Sequence, residues 1–253
     1  MNKWFPEMYD RPENGPAIAS VVYWGICYFM IPFVTLFLAW AFSSDLSTVI
    51  GVDIATYIVN FLCMISLFGP YLSDSFLEVQ LGMSRFIKTV LIAAVLILVV
   101  EVCLLLWGYR WDLMGVFWAY PISETSVVSS TAVVVLTNPL LGSLCMTVLT
   151  PVTVSCMFYA TVFAPFAVKN PKTAYILTSV LLVLPRLLSS WWLGNGIYDL
   201  SIYLLQLPVH LIACWSYQKS NTVWAPIVSL GITNLLICLL LCAMSLLGFI
   251  YVN

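Results

Sequence analysis

Apolar residues run through this chain in long stretches, and charged residues stand almost entirely between them. Seven such stretches can be marked off, at roughly 17–42, 50–69, 85–108, 139–167, 173–193, 197–217 and 223–250. A helix needs about 20 apolar residues to cross the hydrocarbon core of a bilayer. Inside that core a chain must satisfy its own backbone hydrogen bonds, which helices do within one segment. Only 8% of the residues are charged, against about 25% in soluble domains. The expected fold class is therefore all-α: a polytopic membrane helix bundle of about seven transmembrane helices. The bilayer itself is then the first partner.

The stretch 109–138 is the weak point of that division. Pro121, Glu124 and a run of Ser and Thr argue against an ordinary span there, although an eighth span could be drawn through it. Charge placement decides between the two. With seven spans and the N-terminus inside, Lys3, Arg11, Arg85, Lys88, Lys169, Lys172 and Lys219 all face the cytoplasm, and only Arg110 lies outside. That is the bias that sets membrane orientation. An eighth span would move Lys169, Lys172 and Lys219 outside, so seven is the expectation. Trp107, Tyr109, Trp111, Trp118, Trp191 and Trp192 then gather near the outer interface, and Trp4, Trp215 and Trp224 near the inner one, the level that amphipathic rings favour. The opening MNKWFPEMYDRPENG is polar, of mixed charge and unlike a cleavable signal, so residues 1–16 are expected as a cytoplasmic segment. Residues 17–138 form an N-terminal three-helix part with an outer loop, and 139–253 a four-helix core.

Composition excludes several functions. A net charge of −2 with no basic run gives no footing for nucleic acid. Cys27, Cys63, Cys103, Cys145, Cys156, Cys214, Cys238 and Cys242 all fall in apolar stretches without a CxxC. They read as buried free thiols rather than disulfides or zinc ligands. No HExxH, GxSxG or Gly-rich phosphate loop occurs, so no metal or cofactor is expected.

Polar residues inside the apolar stretches carry the remaining signal. Pro32, Pro139, Pro151, Pro165, Pro185, Pro208 and Pro226 each free a carbonyl that a neighbouring helix or water must satisfy. They suit a compact bundle with a central cavity, or ordinary helix bends. Glu101 and Arg186 lie deep, about 24 Å and about 20 Å along their helices from the inner end at 1.5 Å per residue. A charge at that depth needs a partner, so an ion pair between them is expected, either as a structural clamp or as a polar cavity wall. The lone His210 follows Pro208 and reads as a satisfied core histidine.

The segment SYQKSNTVWAPIVSLGITN, residues 216–234, resembles the last motif region of the CPBP family, the CAAX-protease and bacteriocin-processing membrane proteins. Members there read like W-A-P-I-x-x-H-x-x-x-N. Trp224 to Ile227 and Asn234 match, and the family histidine falls on Leu230. The family's P-I-x-E-E-x-x-F-R is best matched by TPVTVSCMFY, where Pro151 and Phe158 align. Its two glutamates fall on Val154 and Ser155 and its arginine on Tyr159. A competing match at Ala164 retains no glutamate either. The histidine of S-x-x-F-x-x-x-H falls on Arg186, or on Pro185 with a one-residue shift. The short link KNPK between these helices and the LGMSRF turn at Leu81 also resemble the family. The likeness covers about 139–250, with an echo from 81.

The resemblance implies the fold of a glutamate-dependent intramembrane endopeptidase of CAAX type, without its catalytic set. Neither Val154 nor Ser155 can take a proton from water, and Leu230 cannot stabilise an oxyanion. No catalytic residue is expected. Asn234 is either a surviving donor or a bond between helices. The implied protein is a pseudoprotease that binds a membrane-protein or peptide partner, in bacteriocin immunity or processing or in control of an envelope enzyme. Its cavity candidates are Asn234, Trp224, Tyr159, Glu101, Arg186 and His210. The resemblance places it in a bacterial plasma membrane as a multi-pass protein. Two alternatives stand: an active endopeptidase rebuilt around Glu101, His210 or Asn234, and the membrane subunit of an exporter.

Overall fold

The computed structural model describes residues 17–23, 46–110, 138–192 and 196–246, with single positions at 12, 15 and 135. Over 46–50, 104–110, 182–192, 196–206 and a few single positions it describes the backbone alone. The described residues are helical apart from short turns and include no strand. Six long helices occur among them: α1 (Leu46–Leu81), α2 (Met83–Arg110), α3 (Pro139–Ala167), α4 (Pro171–Trp192), α5 (Gly196–Ser220) and α6 (Trp224–Leu246).

Three helical stretches are long and apolar enough to cross a membrane: Tyr57–Leu81, Met83–Cys103 and Pro139–Ala167. Trp224–Leu240 is a shorter apolar helix. The expected stretches at 139–167 and 173–193 match α3 and α4 closely. The larger difference is in α1, expected to stop at 69. Instead α1 runs through Pro70 for 36 residues, about 54 Å of helix. A proline within a helix removes one donor and bends the rod without having to end it. Its successor α2 follows after Gly82 alone. The Gly82 N–H donates to Glu78 O at 3.0 Å, and the Phe86 N–H to Gly82 O at 2.9 Å. A Cβ at Gly82 would lie 3.3 Å from Glu78 O, so glycine gives this bend its room.

The bend turns α1 and α2 into the two arms of a V that touch each other little. Along α2 the buried positions are Thr89, Val90, Ala93, Ala94 and Ile97, which lie against α5 and α6. The opposite face shows Leu91, Ile92, Val95, Leu96, Val99 and Val102. Thr89, Ala93 and Ala94 thus face protein beside Val90 and Ile97, while these six outward residues are all Leu, Ile or Val. Water would penalise such a surface; lipid is as apolar as leucine, and close backbone approach drives helix association there. On α1 the inward stripe is Met64, Phe68, Leu72, Ser75 and Val79, at helical spacing. The helical stretch 17–23 packs on α1, where Tyr23 Oη donates to Asn60 Oδ1 at 2.6 Å.

The axis of the bundle is α3. All nine residues of its 155–163 segment are buried. Its first half, through Val154, lies against α6 and α1, and its second half mainly against α4. The turns after α1, α3 and α5 lie at one end of the bundle. Arg85 Nε donates to Lys219 O at 2.7 Å, and Tyr175 Oη donates to Gln218 Oε1 at 3.0 Å. Arg85, Lys88, Lys169, Lys172 and Lys219 therefore share that end.

Candidate functional site

Two proline-linked irregularities shape α3. Residues Cys145–Leu149 and Ser155–Phe163 take the wider π-helical pattern, in which each N–H reaches back five residues. Each π segment gives way to an α step with proline in second place, Thr150-Pro151 and Ala164-Pro165. The Thr150 N–H bonds Cys145 O, and the Ala164 N–H bonds Tyr159 O. The carbonyls next in line belong to Met146 and Ala160. Their five-residue partners would be Pro151 and Pro165, which have no N–H.

Asn234 explains how the first gap is tolerated. Its Nδ2 donates to Met146 O at 2.8 Å, so the amide supplies the donor that Pro151 removes. Gly231, one turn earlier on α6, lies so close to α3 that an added Cβ would stand 2.8 Å from Thr147 O. Glycine lets α6 approach, and the approach lets a short amide reach the carbonyl. Of the two readings of Asn234, the structure shows the bond between helices.

The segment from Ser220 to Ile227 is a capped helix junction. Asn221, at φ 60°, closes α5 in the left-handed conformation that asparagine tolerates at helix ends. Thr222 Oγ1 donates to Ser75 O at 3.1 Å, and Thr222 and Ser75 hydroxyls lie 2.9 Å apart. These hydroxyls accept the N–H groups of Trp224 and Val223, both at 3.3 Å. Pro226 is the third residue of α6, where an N–H would have no partner within the helix. Trp224 is half-buried. Its Nε1 donates to Leu72 O at 2.9 Å, and its ring meets Phe76 edge-on at 5.6 Å. An indole expected at the inner interface thus also ties α6 to α1.

The α3 positions aligned above with the family's motif, and Leu230 on α6, lie in the core or against it. Val154 is half-buried against the core. Ser155 is fully buried and its hydroxyl has no hydrogen-bond partner. Leu230 is buried in the core cluster. Tyr159, fully buried, shares a 2.7 Å hydrogen bond with His210 Nδ1 on α5. Spacing alone does not bring these two together; parallel packing of α3 and α5 does. Around them Phe163 meets Tyr175 edge-on at 4.9 Å and lies tilted against Tyr217 at 6.3 Å. Tyr217 and Tyr71 are joined through their hydroxyls, linking α5 to α1. Sequence reading missed this tyrosine network and the Ser75–Thr222 latch, since neither has a local spacing signature.

Glu101 is half-buried on α2. The side chain of Arg186 lies outside the described residues, and the expected ion pair with it. The free cysteines Cys145, Cys156, Cys214 and Cys238 are buried. Among the described residues no group of three His, Cys, Asp or Glu side chains could hold a metal ion.

No protein-family model, no curated protein and no solved structure matches the chain.

Proposed function

We propose that this chain is a multi-pass protein of the plasma membrane that acts by binding a membrane partner or peptide, not by cutting it. The reading has seven spans and a CPBP-like core, with the N-terminus and the basic end in the cytoplasm. One observation carries the loss of hydrolysis. At the positions where the family resemblance calls for a pair of glutamates stand Val154, half-buried against the core, and Ser155, sealed from solvent. A general base must be able to take a proton and must be within reach of a water. Neither side chain can serve as that base, and Ser155 is also shut off from water. The matching Asn234 amide is engaged with a backbone carbonyl, and His210 Nδ1 with Tyr159. The outward aliphatic faces of α1 and α2 and the five cations at one end support the membrane part of the reading.

Crosslinked co-purification from native membranes, with the termini of every recovered peptide mapped, tests it. The expected result is a membrane partner enriched and uncut. A partner with a new terminus inside its membrane segment would show an active endopeptidase. Reproducible absence of any partner would overturn the binding role.

A further inference from the structure

Each proline gap in α3 removes the five-residue backbone donor of one carbonyl, and among the described residues a side chain caps only one of them. Asn234 reaches Met146 O. Among the described residues no equivalent side chain reaches Ala160 O; α6 lies along the first half of α3, and the 155–163 segment packs mainly against α4. A buried carbonyl without a donor is costly enough that nearly all such groups in folded proteins are paired, often through ordered water. The helix packed against that segment, α4, carries a second unpaired polar group. Thr178 is 1% exposed, on the buried face of α4 one turn beyond Ala174, and its hydroxyl has no hydrogen-bond partner.

The register between the two helices brings these groups to one level. The chain reverses direction between α3 and α4, and Phe163 stacks edge-on against Tyr175. Three residues further from the turn on each helix are Ala160 and Thr178. We infer that this level holds an ordered water bridging Ala160 O and Thr178 Oγ1. Water suits the site chemically. A carbonyl can only accept, whereas a hydroxyl can donate or accept, and a water offers two donors and two acceptors. Two polar partners are the minimum that retains a buried water. The inference does not depend on the binding function proposed above.

The sign of one substitution decides the matter. Thr178→Val keeps the shape and removes the hydroxyl. If a water bridges the two helices, this variant of the full chain in lipid nanodiscs melts about 2–4 °C lower, the loss of one buried hydrogen bond in a chain of this size. Thr178→Ser, which keeps the hydroxyl, stays closer to the parent. In a Pro165→Ala background the residue at 165 can itself donate to Ala160 O, so Thr178→Val costs less there. An unchanged or raised midpoint for Thr178→Val would mean that the hydroxyl binds nothing, and would overturn the inference. That sign stands on its own even if the Pro165 variant does not fold.

Discussion

Asn234 is a single amide with a defined structural task. Asn234→Leu keeps the apolar bulk and withdraws the donor from Met146 O. Bonds between helices in membranes are commonly worth about 0.6 kcal/mol and up to about 1.7. A carbonyl left bare belongs in the upper part of that range, so a loss of about 1 kcal/mol is expected, read by denaturant unfolding in micelles. Gly231→Ala acts on the same contact from the opposite direction. Its Cβ would stand 2.8 Å from Thr147 O, and backbone on both sides leaves no flexible atom to yield. Overpacking of this kind costs about 1–3 kcal/mol. A stability change below half that lower figure in the same unfolding experiment would contradict the close crossing. Asn234 was visible in the sequence as an amide in an apolar helix. Its partner was not, because Met146 O becomes available only through a backbone irregularity 88 residues away.

At the scale of elements, the prolines of α3 and the side chains facing them form one system. Pro151→Ala returns an N–H at 151 and lets the helix pair Met146 O internally. Asn234→Leu should then cost much less in the Pro151→Ala background than alone, a coupling of about 1 kcal/mol in a double-mutant cycle. Additive effects would mean that the π segment and the amide are unrelated. The junction between α5 and α6 obeys the same logic. Ser75→Ala removes a hydroxyl that accepts the Val223 N–H and lies 2.9 Å from Thr222. It should lower the melting midpoint by about 2–6 °C, as expected for a lost N-terminal cap. Thr222 and Pro226 could be read as helix-start residues from their order along the chain. Ser75 could not, since it lies 147 residues from Thr222.

At the scale of the molecule, the turns after α1, α3 and α5 share one end and carry Arg85, Lys88, Lys169, Lys172 and Lys219. If that end is cytoplasmic, single cysteines placed at Ser84, Asn170 and Asn221 in a background with the eight native cysteines replaced should all resist a membrane-impermeant thiol reagent added to intact cells. All three should react once the membrane is opened. Labelling of all three from outside would invert the orientation, and labelling of only some would break the shared-end arrangement. The outward faces of α1 and α2 make a second whole-molecule point. Leu62, Leu77, Leu91, Val95, Leu96 and Val99 are exposed, while alanines, threonines and serines lie inside. Inward and outward positions are hard to tell apart by hydropathy here, because both are largely apolar. On α2 the inward face holds smaller residues, whereas on α1 it holds Met64, Phe68 and Leu72, so neither hydropathy nor size alone sorts them.

The sequence by itself determined the helical class and the positions of most helices, since a bilayer demands long apolar runs and backbone self-sufficiency whatever the packing. Tertiary structure decided the rest. It joined Tyr159 to His210, set Asn234 on Met146 O, latched Ser75 to Thr222 and carried α1 through Pro70. Each of these depends on which helix lies beside which, and on backbone groups that proline releases. Those are properties of contacts between distant segments, and no local pattern of residue types records them.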